Sequence, residues 1–152
     1  NKSDPLQIEI QQDRFPTPIV RFLETSQTDG NLLCFFDWAE YCIWKLYPKC
    51  RVFIDGRFTD AYDVKTVRDY LDFVYLGPSW NEVLDRYNAD MVLIHRGNPV
   101  YPAMRSMPGW QIAMETDIAA LFMRTAVHGK TLEDLRNGRI VVPAPRDTEF
   151  FP

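Results

Sequence analysis

The feature that most constrains this chain is a pair of short apolar runs separated by one aromatic-rich segment. Leu32-Leu33-Cys34-Phe35-Phe36 is continuously apolar, Trp38 to Tyr47 carries aromatic residues at helical spacing, and Arg51-Val52-Phe53-Ile54 is apolar again. A continuous apolar run bounded by turn residues suits a strand covered on both faces, the usual state of a parallel sheet. Thr28-Asp29-Gly30-Asn31 supplies the turn before it. Asp37 stands where a helix N-cap is expected, and Pro48 ends the helix because proline brings no N–H to continue it. Strand, helix and strand in this order form a βαβ unit.

The remaining elements follow from the same patterns. Pro16 and Pro18 open a short helix from Pro18 to Thr25, with Ile19, Phe22 and Leu23 on one side. Asp63 caps a longer helix from Val64 to Tyr75, whose apolar stripe is Val67, Tyr70, Leu71 and Val74. Gly77-Pro78 ends it, and Ser79 with Glu82 has capping-box spacing for a helix from Trp80 to Tyr87. Met91-Val92-Leu93-Ile94 is the third strand, followed by a short helix from Tyr101 to Met107. Trp110–Met114 and Ile118–Arg124 flank a polar turn and predict a β-hairpin. Thr131 to Asn137 is a small helix closed by Gly138.

The predicted fold class is therefore α/β: three layers, a mostly parallel central sheet and an antiparallel hairpin at the C-terminal edge. Residues 1–15 read as a linker or edge strand, 16–125 as the α/β domain, and 126–152 as a short helix with a Pro-rich tail.

Composition excludes several functions. No block of basic residues occurs and the formal net charge is -4, so no nucleic-acid partner is expected. No run is long and apolar enough to span a bilayer. The opening Asn1-Lys2-Ser3-Asp4-Pro5 has neither an initiating Met nor a leader, as expected of a domain cut from a longer protein and equally of a trimmed or mature chain. Cys34, Cys42 and Cys50 fit no CxxC pattern, and His95 and His128 lie far from them in sequence, so neither a metal nor a cofactor is expected. Cys34 reads as a small core residue; Cys42 and Cys50 have the option of pairing in an oxidising compartment.

Candidate site residues gather where strands end. Open α/β sheets bind ligands at the carboxyl edge of their strands. Asp55-Gly56-Arg57 follows the second strand, Asp37 the first and His95 the third. Gly56 permits a tight turn, and the planar fork of Arg57 suits a phosphate or carboxylate. Tyr62 follows shortly after and is a further ligand-binding candidate. A purely architectural reading stands beside this one, in which Asp37 only caps its helix and Asp55 pairs with Arg57 to hold a turn. An apolar strand ending in Asp55 resembles a phosphotransfer nucleophile, but Arg57 occupies the position where that chemistry needs a second acid. Tyr41, Trp44 and Tyr47 recur at three-residue spacing with Trp38 upstream. They form either a helix face packed on the sheet or a platform for sugar or lipid.

From Pro16 to Arg124 the chain resembles the soluble C-terminal domain of bacterial multi-spanning membrane proteins of the dolichyl-phosphate-mannose-protein mannosyltransferase type. The residues that carry the resemblance are the Trp38-x-x-Tyr41-x-x-Trp44 helix, its Tyr47-Pro48 stop, and Val52-Phe53-Ile54-Asp55-Gly56-Arg57 with Tyr62 soon after. Trp80, Ala89-Asp90-Met91-Val92-Leu93-Ile94 and a closing Gly109-Trp110 … Asp117-x-x-Ala120-Leu121-Phe122-x-Arg124 complete it. The chain departs at Ala39-Glu40, where the pattern often has Gly-Gly. The resemblance implies an accessory domain on the extracytoplasmic face of a bacterial membrane, part of an integral membrane protein. Its partners would be the transmembrane segment of the same parent chain and a glycan or lipid-linked sugar. It implies no catalytic residue here. A free-standing α/β enzyme acting on a sugar or phosphate ester, and a structural or protein-interaction module, are the alternatives.

Overall fold

Two faces of one sheet must both be buried if its strands are apolar throughout, and the structure does this with two helical layers. The computed structural model describes residues 8–9, 11, 13–54, 62–142, 144 and 150–151. Five strands form the main sheet: β2 (Gly30–Cys34), β3 (Cys50–Phe53), β4 (Met91–His95), β5 (Trp110–Glu115) and β6 (Ala119–Arg124), in the order β3-β2-β4-β6-β5. β2 is parallel to β3 and to β4, with Leu32 opposite both Val52 and Met91. β6 runs antiparallel to β4 and to β5, and the register against β5 shifts between Ile112 and Met114. A separate two-residue pair joins β1 (Ile8–Glu9) to β7 (Phe150–Phe151).

The helices are α1 (Thr17–Thr25), α2 (Ala39–Leu46), α3 (Val64–Val74), α4 (Glu82–Arg86), α5 (Val100–Arg105) and α6 (Thr125–Arg136). Side-chain alternation along each strand divides the core in two. Leu32, Cys34, Met91, Leu93, Leu121 and Met123 face a layer that includes Ile19 and Phe22 of α1, Tyr41 and Cys42 of α2, and Leu132 of α6. Leu33, Val92, Ile94, Ala120 and Phe122 face Tyr70, Phe73 and Val74 of α3, Leu84 of α4 and Met104 of α5. The architecture is thus the three-layer α/β fold with a parallel part at one end and an antiparallel hairpin at the other.

Several local readings change. Asp37 does not cap α2: it lies inside a 3-10 turn, Phe36–Trp38, and α2 begins at Ala39 with no side-chain cap. Asp63 does cap α3, accepting the Thr66 amide at 2.7 Å. The buried residues of α3 are Asp69, Tyr70, Phe73 and Val74, whereas Leu71 is exposed. Ser79 makes no capping box, because the turn preceding α4 runs on to Asn81, which has no side-chain cap bond. α6 starts six residues earlier than predicted, at Thr125 rather than Thr131, and bends at His128, whose backbone is non-helical. Among the described residues no helix is long and apolar enough to cross a membrane.

Candidate functional site

The first strand of the sheet, β2, lies between β3 and β4. The chain leaves β2 toward β3 on one side, and leaves β4 toward the hairpin on the other. The carboxyl ends of β2 and β4 are therefore a topological switch point, where the connecting segments diverge and leave a crevice. A cavity of about 430 Å3 occupies this place, lined by Asp13, Arg14, Phe15, Phe35, Asp37, Trp38, His95 and Ile118. Asp13, Phe15 and Ile118 also border an adjoining hollow of about 330 Å3 with Thr17, Thr116 and Asp117.

Each wall is fixed by its own bonds. The Phe35 amide donates to the Leu93 carbonyl at 2.7 Å, extending the β2–β4 ladder by one residue. The next amide, of Phe36, donates to the Tyr70 hydroxyl at 2.7 Å. Burial raises the pKa of that hydroxyl, with the nearby Asp37 charge adding to the effect, so it remains a protonated anchor. Consecutive residues thus point to opposite layers: Phe35 into the cleft side and Phe36 toward α3. Trp38 is buried, and its indole N–H donates to the Arg14 carbonyl at 2.9 Å, which draws the segment before α1 over the cleft.

His95 is the best-positioned polar group. Its ring packs against both Phe35, at 6.0 Å between centroids, and Trp38, at 5.8 Å and tilted 34°, which themselves meet edge to face at 5.2 Å. Its backbone N–H donates to Asn98 Oδ1 at 3.0 Å, and its Nδ1 accepts the Gly97 amide at 2.8 Å. A neutral ring held that way carries its proton on Nε2, so the other nitrogen is a donor available to a ligand. Gly97 leaves room for this contact, since a Cβ there would stand a tight 3.0 Å from His95 Nδ1.

The far wall comes from the hairpin turn. Arg96 donates its amide to the Ile118 carbonyl at 2.8 Å and its guanidinium to the Thr116 carbonyl at 3.0 Å. Thr116 Oγ1 accepts the amides of Ile118 and Ala119 at 3.3 and 3.1 Å. These bonds hold the turn beside His95 without using the histidine ring.

Of the predicted site residues, Asp37 and His95 meet in this cleft. Tyr62 does not join them: it packs against the α3–α5 core. Asp55, Gly56 and Arg57 lie outside the described residues. The last residue described before them is Ile54, fully buried with φ of 59°. A β-branched residue in the left-handed region carries backbone strain, and such strain concentrates at functional sites and tight turns. Asp13, Arg14, Phe15 and Ile118 escaped the sequence reading. The available signal was the Asp-Arg-Phe group just before Pro16, a charged and aromatic cluster where only a linker or edge strand was expected.

The aromatic stripe of α2 splits. Trp38 and Tyr41 are buried, while Trp44 and Tyr47 are 36% and 74% exposed. Half of it is therefore core, and the outer half lies on the surface.

A slightly larger cavity, about 480 Å3, lies at the amino-terminal edge beside Asp29, Asn31, Lys49, Arg51 and Asp90. Its central carboxylate is already committed: Asp90 accepts the Asn31 amide at 3.1 Å on both oxygens and contacts His128 Nε2 at 3.2 Å. That site is a brace between β2 and α6. Comparison with protein-family models, with curated proteins and with solved structures gave no match.

Proposed function

We propose that this chain is an accessory domain of a membrane-bound glycosyltransferase-like protein, and that its switch-point cleft binds a sugar of the acceptor or donor. The observation that carries the ligand class is the composition of the cleft: aromatic walls from Phe15, Phe35 and Trp38, two carboxylates from Asp13 and Asp37, and the His95 donor. Aromatic faces cover the apolar face of a pyranose, while carboxylates accept from its hydroxyls. The fixed charges are two carboxylates against the one guanidinium of Arg14, a balance that favours a neutral sugar over a polyphosphate. The membrane location, the transmembrane segment as partner and the bacterial extracytoplasmic face rest on the sequence resemblance alone.

The test is saturation-transfer NMR and calorimetry with neutral monosaccharides and oligosaccharides, nucleotide sugars and polyprenyl phosphates. Binding of a neutral glycan that weakens about tenfold in Asp37→Asn and in His95→Gln is the expected result, about 1.4 kcal/mol for each lost bond. Glycan binding unchanged in both variants, or no binding of any probe, would remove the cleft from consideration.

Gly97→Ala provides a gentler probe of the same cleft. The added methyl crowds His95 Nδ1 and displaces the ring by a few tenths of an ångström, so affinity should fall about threefold, less than in His95→Gln. The melting temperature should change by no more than about 3 °C, since the loop is at the surface. A large melting shift with unaltered affinity would mean that His95 supports the loop and not the ligand.

A further inference from the structure

All three cysteines lie in the same core layer, and all three are buried free thiols. Cys34 closes β2, Cys42 sits in the middle of α2, and Cys50 opens β3. The sulfurs of Cys34 and Cys42 stand 3.5 Å apart, both at zero exposure. Cys50 turns elsewhere, its Sγ directed at the Thr28 carbonyl at 3.4 Å. A disulfide needs its sulfurs at about 2.05 Å, so the Cys34–Cys42 pair lacks only about 1.5 Å of approach. Side-chain rotation on a strand end and on a one-turn-distant helix position supplies a shift of that size.

We infer that Cys34 and Cys42 are a disulfide pair, closed by a protein or small-molecule disulfide oxidant, and that the bond braces the β2-side wall of the cleft. One cysteine thiolate attacks a sulfur of the oxidant and forms a mixed disulfide, releasing the oxidant's first thiol. The second cysteine thiolate then displaces the oxidant's remaining sulfur. The chain loses two electrons and two protons, and the oxidant leaves as two thiols. Cys50 remains a thiol throughout.

The position of the bond gives it a consequence. The segment it would close carries Phe35, Asp37 and Trp38, which form one wall of the crevice. The 3-10 turn within that segment has no side-chain cap, and a covalent tie between its two flanks adds to the bonds that already hold it. The timing is also set by burial. Burial pushes the Cys34 thiol well above its ordinary range, which disfavours the reactive thiolate once the core has closed. Burial likewise pushes Cys50 up to about 12. The bond therefore forms while the chain is folding, and is then shielded from reductants by the same burial. The inference is independent of what the cleft binds.

The experiment uses the unmodified chain. It is refolded from urea in a buffer of oxidised and reduced glutathione, quenched with an alkylating agent and weighed. Digestion after Glu40 and after Lys45 places the three cysteines on three different peptides. The expected result is a chain that gains one alkyl group where the reduced chain gains three, with Cys34 linked to Cys42 and Cys50 alkylated. Melting of this form should lie about 5–10 °C above that of the same chain refolded from urea in dithiothreitol, a gap that persists in Cys50→Ala. Three alkylated cysteines, or linkage of Cys50 to either partner, would overturn the pairing. A correct link with no rise in melting temperature would overturn the bracing role.

Discussion

Gly30→Ala should lower the melting temperature by about 8–12 °C, corresponding to about 3 kcal/mol for a domain of this size. Two physical effects add. The backbone of Gly30 has φ of 143°, a conformation that costs an L-residue about 1–3 kcal/mol. An alanine Cβ would also stand 2.2 Å from Asp90 Oδ1, far inside contact distance. Asp90 cannot yield freely, because its carboxylate holds the Asn31 amide on β2 and His128 on α6, and its backbone N–H donates to the Asn31 carbonyl at 3.1 Å. A double-mutant cycle separates the two effects. In an Asp90→Ala background the collision is gone, so Gly30→Ala should cost only its backbone share, about half of the full penalty. Equal costs in both backgrounds would mean that the contact with Asp90 is not what demands glycine.

The second expectation concerns Asp69. Its carboxylate is nearly buried and collects three donors: Lys65 Nζ at 2.8 Å, Tyr87 Oη at 2.8 Å and Arg86 Nη1 at 2.9 Å. Together they join α3 to α4. Tyr87 in turn stacks on Phe53 with ring centroids 4.1 Å apart, so the network also supports the end of β3. Burial opposes ionisation of Asp69, but the hydrogen bonds from Lys65, Tyr87 and Arg86 outweigh it and hold the carboxyl below its ordinary range. Lys65 and Arg86 are themselves substantially exposed, which discounts the ion-pair share. Asp69→Ala should then cost about 2 kcal/mol at pH 7, most of it from the lost charge-assisted bonds, since the Tyr87 hydroxyl keeps Thr66 Oγ1 within 3.5 Å.

The pH dependence has a definite sign. A carboxylate whose folded value is depressed contributes stability that is fully present above its unfolded value, about 3.9. That contribution disappears as pH falls through the lower folded value. Urea unfolding of the native chain and of Asp69→Asn should therefore differ by a constant amount from pH 7 to about pH 5, and the gap should close below about pH 4. A gap unchanged down to pH 3 would show that the ionised carboxylate is not its source.

How far the sequence could be read depended on whether a pattern was local. The unbroken apolar runs Leu32-Leu33-Cys34 and Met91 through Ile94 predicted a sheet covered on both faces, because successive side chains of any strand point to opposite sides. The hairpin from Trp110 to Arg124 was equally legible. The stripe of α3 was not. Val67, Tyr70, Leu71 and Val74 satisfy helical spacing as well as Asp69, Tyr70, Phe73 and Val74 do. The helix turns Asp69 inward because Arg86 and Tyr87, distant in sequence, meet it there. Asp37 failed as a cap for a related reason: the Phe35 and Phe36 amides are anchored to Leu93 and Tyr70, which places Asp37 within a tight turn.

At the site, strand-end logic found Asp37 and His95, since any residue following a parallel strand arrives at the same edge. It missed the segment from Asp13 to Phe15, whose place is set by one bond from the Trp38 indole to the Arg14 carbonyl. The cysteines show the limit most directly. Cys42 is eight residues from Cys34 and eight from Cys50, so spacing offers no choice between them. Packing decides, with α2 turning Cys42 toward the end of β2.

The irregularity in the register of β5 has a consequence for how copies of the chain meet one another. β3 and β5 border the sheet, and a bordering strand is a template on which another chain can add its own backbone. Here both borders are poor templates. β3 is only four residues long and carries the charge of Arg51. β5 is longer, but the shift between Ile112 and Met114 breaks its line of donors and acceptors halfway. A chain with this much apolar strand sequence would otherwise be prone to stack edge to edge. Among the described residues, these two borders offer a second chain little regular backbone to pair with.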